Sequence, residues 1–386
     1  MPSTSVVLPW STWAMMAILR MSCRCRIFFP VPNPSGRAAG GRYRQKSPAV
    51  GFFYSLLCLS QAIDLTTRPG APAHSRARIQ TMSTISGSIQ PARRTGTGAS
   101  AALASAVTRA ASRQSWYTIR FLVDRGRVDD AWRAYAYFRW VDDRIDEGEG
   151  DAAARADFLR RQQALVEAAY RAASCGRPMP ADLGPEEQLL ADLISGDTEV
   201  DSGLQTYLCN MMAVLAFDVE RRGRLISAAE LDRYIDLLAA GVTAALFHFI
   251  GHDCPVAPSA ERARAVGGAC VIHQLRDLIE DCANGYVNIP AEYLATHGIT
   301  PGDVAHPAMR RWVAGRVALA RDCFREGRAF IARLGNARRR LAGRAYIARF
   351  EYMANIIERD GYLLRAAYPE RKTPRAVLWV ASRAFI

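Results

Sequence analysis

The 386-residue sequence predicts an all-α protein, and three observations carry that reading. From about Ser100 onward, apolar residues recur at helical spacing in one segment after another. No stretch sustains the two-residue alternation of a half-buried strand. Glycine and proline punctuate the chain at helix-length intervals, among them Gly126, Gly148, Gly176, Gly223, Pro255, Gly285, Pro290 and Gly335. Half of the residues are hydrophobic, ample for one large core of about 250–300 residues.

Residues 1–81 behave differently. They carry ten Lys and Arg against a single acid, Asp64, and proline interrupts them repeatedly. Two apolar runs, 5–19 and 49–63, fall short of a membrane span. The second resembles a signal h-region, and an Arg-rich, acid-poor leader also fits a transit peptide. Met82 opens a more ordinary N-terminus, so 1–81 read as a disordered or artefactual extension. Residues 82–99, rich in Ser, Gly and Thr, read as a flexible lead-in, and 100–386 as the helical domain. Helices are expected at 100–123, 128–147, 151–174, 186–196, 202–222, 227–252, 258–284, 308–333, 336–366 and 373–384.

Most of the net charge of +13 belongs to the extension, so the basic balance does not argue for a nucleic-acid partner. No GxGxxG follows a strand and no GxxxxGK[ST] is present, so nucleotide-binding folds are not supported. Nine cysteines show no metal-type pairing beyond Cys23 and Cys25, which points to a reducing cytoplasm without disulfides. His248 and His252 stand four residues apart near Cys254, but no third ligand follows at a usual spacing, so zinc is not expected.

The segment 134–147, AYAYFRWVDDRIDE, is where chemistry first shows. At helical period Tyr135, Arg139, Asp142 and Asp146 share one stripe, with Asp143 beside it and an apolar flank of Ala136, Phe138, Val141 and Ile145. Two carboxylates one turn apart can grip one divalent cation, and the arginine can meet an anion that the cation also touches. The bland alternative is a solvated charged face. A second segment, HQLRDLIEDCANGYVNIP (273–290), repeats the design with His273, Asp277 and Asp281 at four-residue steps, Arg276 and Glu280 adjacent, and Leu275, Leu278 and Ile279 between. Two such helices facing one another would suit Mg²⁺, which takes one or two carboxylates together with waters and substrate phosphates.

YxxxRxxDDxxD followed by RDxxEDxxxGxxxxP resembles the squalene/phytoene synthase family, over about residues 112–386. The resemblance implies a single large helical bundle of the isoprenoid synthase type with a central apolar cavity. It implies an enzyme that joins two prenyl diphosphates head to head and uses Mg²⁺ to draw off pyrophosphate. On that reading Asp142, Asp146, Asp277 and Asp281 bind metal, with Asp143 and Glu280 behind them. Tyr135, Arg139 and Arg276 hold diphosphate, together with Ser112, Arg113 and His273. NADPH use is left open, and the lack of a nucleotide motif leans toward a reaction without reductant. The chain is expected to be monomeric and cytoplasmic, and the C-terminal AVLWVASRAFI reads either as a peripheral membrane contact or as a core helix.

Several positions depart from the family pattern. Ala240 and Thr243 stand where glycines are usual beside the prenyl tails, where added methyl groups would narrow a channel, the alternative being plain tight helix packing. His273 replaces an asparagine that contributes to a metal, and imidazole suits Mg²⁺ less well than a carboxamide oxygen. Asp218 resembles a family aspartate but is expected to pair locally with Arg221 or Arg222. Arg365 and Lys372 are further anion partners. These departures keep two alternatives in play: a terpene cyclase or diphosphate lyase acting on one prenyl diphosphate, and a non-catalytic relative acting in assembly.

Overall fold

The structure is a computed structural model that describes residues 97–147 and 152–385. The expected extension 1–81 and the lead-in up to residue 96 lie outside the described residues. Twelve α-helices and no strands occur among the described residues, so the fold is the all-α bundle that the sequence predicts.

The first expected helix, 100–123, is two helices: α1 (Thr97–Ala111) and α2 (Arg113–Leu122). Ser112 breaks it, because its backbone is extended and its hydroxyl accepts the Ser115 amide, capping α2 at the cost of continuity with α1. A 3₁₀ turn, Arg125–Arg127, leads into α3 (Val128–Glu147), followed by α4 (Ala152–Ser174), α5 (Pro185–Ser195) and α6 (Gly203–Arg221). Ser202 caps α6. Then comes α7 (Ala228–Phe249), which opens on a reciprocal capping box between Ser227 and Glu230. It ends three residues earlier than expected, where Gly251 takes a φ of 68°.

A 3₁₀ turn, Ala260–Ala263, occupies the start of the expected 258–284 helix, and α8 runs Arg264–Ala283. The seven-residue α9 (Ala291–His297) was not foreseen. It is too short to show a period, although Pro290 before it and Gly298 after it mark its ends. After α10 (Pro307–Ala332) comes α11 (Ala337–Arg359), which stops short of residue 366 because Gly361 and Tyr362 both take positive φ. The last helix is α12 (Pro374–Ala384), capped by Thr373.

Helix α3 packs between α1 and α5, α6 against α7, and α8 against α7, α10 and α11. Two glycines permit the closest approaches. A Cβ on Gly241 would lie 3.0 Å from Asn210 Cβ at the α6–α7 contact, and one on Gly268 would lie 2.9 Å from the Ala320 carbonyl of α10. One continuous apolar core joins these helices, and its aromatic centre includes Tyr135, Tyr137, Phe138 and Tyr207, with the Phe138 and Tyr207 rings edge to face at 5.2 Å. Among the described residues no helix is long and apolar enough to cross a membrane.

Candidate active site

On α3, Asp142 is not part of a solvated face. Tyr135 is fully buried and Asp142 is 1% exposed, in line with the apolar Phe138, Val141 and Ile145. Burying a carboxylate is costly unless a cation or donors meet it. Arg139, one turn back, supplies part of that: its NH1 lies 3.8 Å from Asp142 Oδ2, while its Nε donates to Asp143 Oδ2 at 2.9 Å. Asp146 lies in the last turn of α3, and its side chain is outside the described residues.

On α8 the Arg276 guanidinium grips its neighbour Asp277 with both Nε (2.6 Å to Oδ1) and NH2. His273 Nε2 stands 3.2 Å from the same carboxylate. Burial works to raise the Asp277 pKa, yet Arg276 and, behind it, Arg371 hold it well below the ordinary carboxylate range. Burial, and then Arg276, push the His273 pKa far down, so its ring is neutral. The charges of Arg349 and Arg371 also act on His273, which brings three guanidinium groups toward one spot. Neither Arg349 nor Arg371 was singled out from the sequence. Arg365, which was, is engaged with Asp360 and Glu370. Glu280 is exposed.

One turn beyond Asp277, Asp281 is 7% exposed and its pKa is raised, by burial first and then by Asp277 and Asp218. A buried chain of hydrogen bonds fixes it. Asn288 Nδ2 donates to Asp281 Oδ2 at 3.0 Å, and Arg221 NH1 donates to Asn288 Oδ1 at 2.8 Å. Arg221 Nε donates to Asp218 Oδ1 at 2.7 Å, and Tyr234 OH to Asp218 Oδ2 at 3.3 Å. The guanidinium also lies 4.6 Å from the centre of the Tyr234 ring. Asp218 thus pairs with Arg221, one of the two partners expected. Asn288 carries no periodic signal, and only its place two residues before Pro290 in the second motif could have drawn attention to it.

Ser112 caps α2 and Arg113 is exposed, so both sit at the start of that helix. Ala240 is half-buried and lines an outward groove with Asp232, Arg233 and Asp236, which corrects the expectation that its methyl narrows a channel. Thr243 is buried, and Gly241 between them makes the close helix contact. His248 and His252 come together with Glu199, a third potential ligand 49 residues upstream that spacing alone could not supply.

Oxygen donors of the kind Mg²⁺ prefers are thus available on both helices. A carboxylate offers about four lone-pair sites, so Asp277, engaged by Arg276, keeps capacity for a metal. The charge of Asp277, one turn back, adds to the cost of ionising Asp281, which a divalent cation would relieve.

Two solved structures share the fold. A squalene synthase, HpnC from Alicyclobacillus acidocaldarius, superposes with a TM-score of 0.55 at 22% identity, covering 71% of this chain and 98% of that one. A dehydrosqualene synthase in complex with a ligand gives 0.54 at 15% identity, with 74% and 95% covered. No curated protein sequence matches. The squalene/phytoene synthase family model matches residues 108–377, a span that takes in both acid-bearing helices and the Asp218–Arg221–Asn288 relay, and the chain belongs to the squalene/phytoene synthase family.

Proposed function

We propose that the protein is a Mg²⁺-dependent prenyltransferase that joins two prenyl diphosphates head to head and releases pyrophosphate. One observation carries this reading within the family: each of two separate helices carries a carboxylate–arginine pair with one member buried, Asp142 on α3 and Arg276 on α8. A protein that had kept only the scaffold would gain nothing from that arrangement, since buried ions cost stability.

Asp142, Asp146, Asp277 and Asp281 would hold the metal. Mg²⁺ bound there would neutralise charge developing on the leaving diphosphate. Arg139 and Arg276 would orient the diphosphate, with Arg349, Arg371 and the Tyr135 hydroxyl as further donors. Asp143 restrains Arg139 in the needed direction. The buried apolar flanks of α3 and α8 would keep water from the allylic cation left after ionisation. His273, neutral and buried, favours a second reading as well: a cyclase or lyase acting on a single prenyl diphosphate, with the imidazole taking a proton from the cation. Exposed Leu378 and Phe385 at the C-terminal end support peripheral bilayer contact, suited to an oily product.

The test offers C15 and C20 prenyl diphosphates with Mg²⁺, with and without NADPH, and follows pyrophosphate and organic products. A product of doubled carbon number is expected. A product of unchanged carbon number selects the cyclase or lyase reading, and no pyrophosphate with any substrate overturns both.

A further inference from the structure

The end of α7 holds a second cluster of chemistry-bearing side chains. His248 lies in the last turn of α7, and His252 follows in the loop that Gly251 turns back over the helix end. Glu199, from the loop between α5 and α6, joins them, so that one donor atom from each of the three lies within 4.8 Å of the others. His252 Nε2 is 2.5 Å from Glu199 Oε1. His248 stands fourteen positions beyond Tyr234 on the same helix, which places the cluster about 20 Å along α7 from the acid relay.

The surrounding frame is firmly tied. The Asp124 amide donates to the Phe249 carbonyl at 2.9 Å, and Asp124 Oδ2 accepts the His252 amide at 2.8 Å. Arg339, 7% exposed, donates to the carbonyls of Phe247, Ile250 and Cys254 and so fixes the loop that carries His252. His248 and His252 are therefore held by backbone that does not depend on a ligand, and Glu199 reaches them from the α5–α6 loop.

The protein puts a cation of its own at that point. Arg127 NH1 lies 2.7 Å from His248 Nε2, and its NH2 lies 3.7 Å from Glu199 Oε1. A guanidinium only donates, so His248 Nε2 must present its lone pair there. Arg127 belongs to the short turn before α3 and its side chain is 24% exposed, which gives it a way out to solvent.

We propose that Glu199, His248 and His252 form a site for one divalent transition-metal ion of the zinc class, with Arg127 standing in for the ion until it binds. Two imidazoles and a carboxylate are a ligand set that Zn²⁺ accepts at three positions, leaving the fourth for water. Imidazole suits Zn²⁺ and its neighbours in the series, whereas Mg²⁺ favours all-oxygen donors, so the site and the acid-bearing helices select different ions. The bound ion would pin the α5–α6 loop to the end of α7, away from the diphosphate chemistry.

The test titrates the full chain, stripped with EDTA, with Zn²⁺ by calorimetry and with Co²⁺ by visible absorption, in excess Mg²⁺. One ion per chain is expected, with the Co²⁺ bands of a four-coordinate site. Glu199→Gln and His252→Ala should each weaken binding by about 100-fold or more, since even changes behind the ligands cost 10–100-fold. Arg127→Ala, which removes the competing cation, should tighten it. Melting of each metal-free variant checks that the fold survives. No binding by the wild-type chain, or binding undiminished in His252→Ala, overturns the proposal. Binding by Arg127→Ala alone also overturns it, because Arg127 would then be the permanent occupant.

Discussion

The two acid-bearing helices have the same spacing of carboxylates and are supported in different ways. On α3 the support is local: Arg139 reaches Asp142 and Asp143 on its own helix, and aromatic packing around Phe138 fixes the helix itself. On α8 it is distributed. Asp281 is held through Asn288, from the turn before α9, and then through Arg221 and Asp218 of α6 to Tyr234 of α7. The pattern that makes a helix acidic on one stripe is written in a few consecutive residues. The framework that makes a buried acid tolerable draws on residues up to about 70 positions away.

That contrast predicts different outcomes for matched substitutions. Asp142→Asn and Asp277→Asn should each lower pyrophosphate release on the order of 10³-fold, comparable to removing one preorganised group that meets transition-state charge. Their stabilities should diverge. Asp142→Asn removes a buried charge that Arg139 meets only at 3.8 Å and leaves Arg139 with Asp143, so it should cost under about 1 kcal/mol. Asp277→Asn leaves the buried Arg276 without the carboxylate it grips, at about 3 kcal/mol. Denaturant melts of both variants check this, and equal losses would break the comparison. Arg221→Leu should cost about 3–5 kcal/mol, because Asp218 and Asp281 would remain buried without their shared cation. Asn288→Ala should be milder in stability, about 1–3 kcal/mol, with Mg²⁺ dependence shifted 10–100-fold as Asp281 loses its orientation. Unchanged Mg²⁺ dependence in that variant would reduce Asn288 to a purely structural part.

What was legible follows the same division. The α3 boundaries, the C-terminal end of α8 and the buried Asp142 and Asp281 followed from periodicity, because 3.6-residue spacing is a local property that packing then obeys. The Ser112 break escaped that reading, since apolar residues on both sides continue the helical pattern and only the serine cap interrupts it. The early end of α11 lay in a single left-handed pair, Gly361 and Tyr362, and a tyrosine gives no warning of positive φ. Asn288, Arg349, Arg371 and Glu199 acquire their roles only through contacts across the fold. No spacing rule ties Glu199 to His248.

The mildest effect sharpens the comparison from the other side of α3. Tyr137, on the same helix as Asp142, donates through its hydroxyl to Gln162 Oε1 of α4 at 3.0 Å. Gln162 Nε2 donates in turn to Glu187 of α5 at 2.9 Å, and Glu187 also accepts two bonds from Arg161 and one from the Gly184 amide. So α3 has a relay of its own, ending on a buried acid that meets the exposed Arg161. The Arg161 bond, with those from Gln162 and Gly184, outweighs burial and lowers the Glu187 pKa to about 2 from 4.5. A depressed carboxylate contributes stability that is present above pH 4.5 and is lost as pH falls toward 2. Asp281, with its raised pKa, has the opposite sign: in metal-free protein it favours folding most below pH 3.8 and less as pH rises. Glu187→Gln should therefore flatten the stability profile between pH 4.5 and 2 by lowering stability on the neutral-pH side, by about 1 kcal/mol, while leaving stability near pH 2 unchanged. A profile that keeps its full acid slope in Glu187→Gln would assign that slope to another carboxylate and leave α3 supported by packing alone.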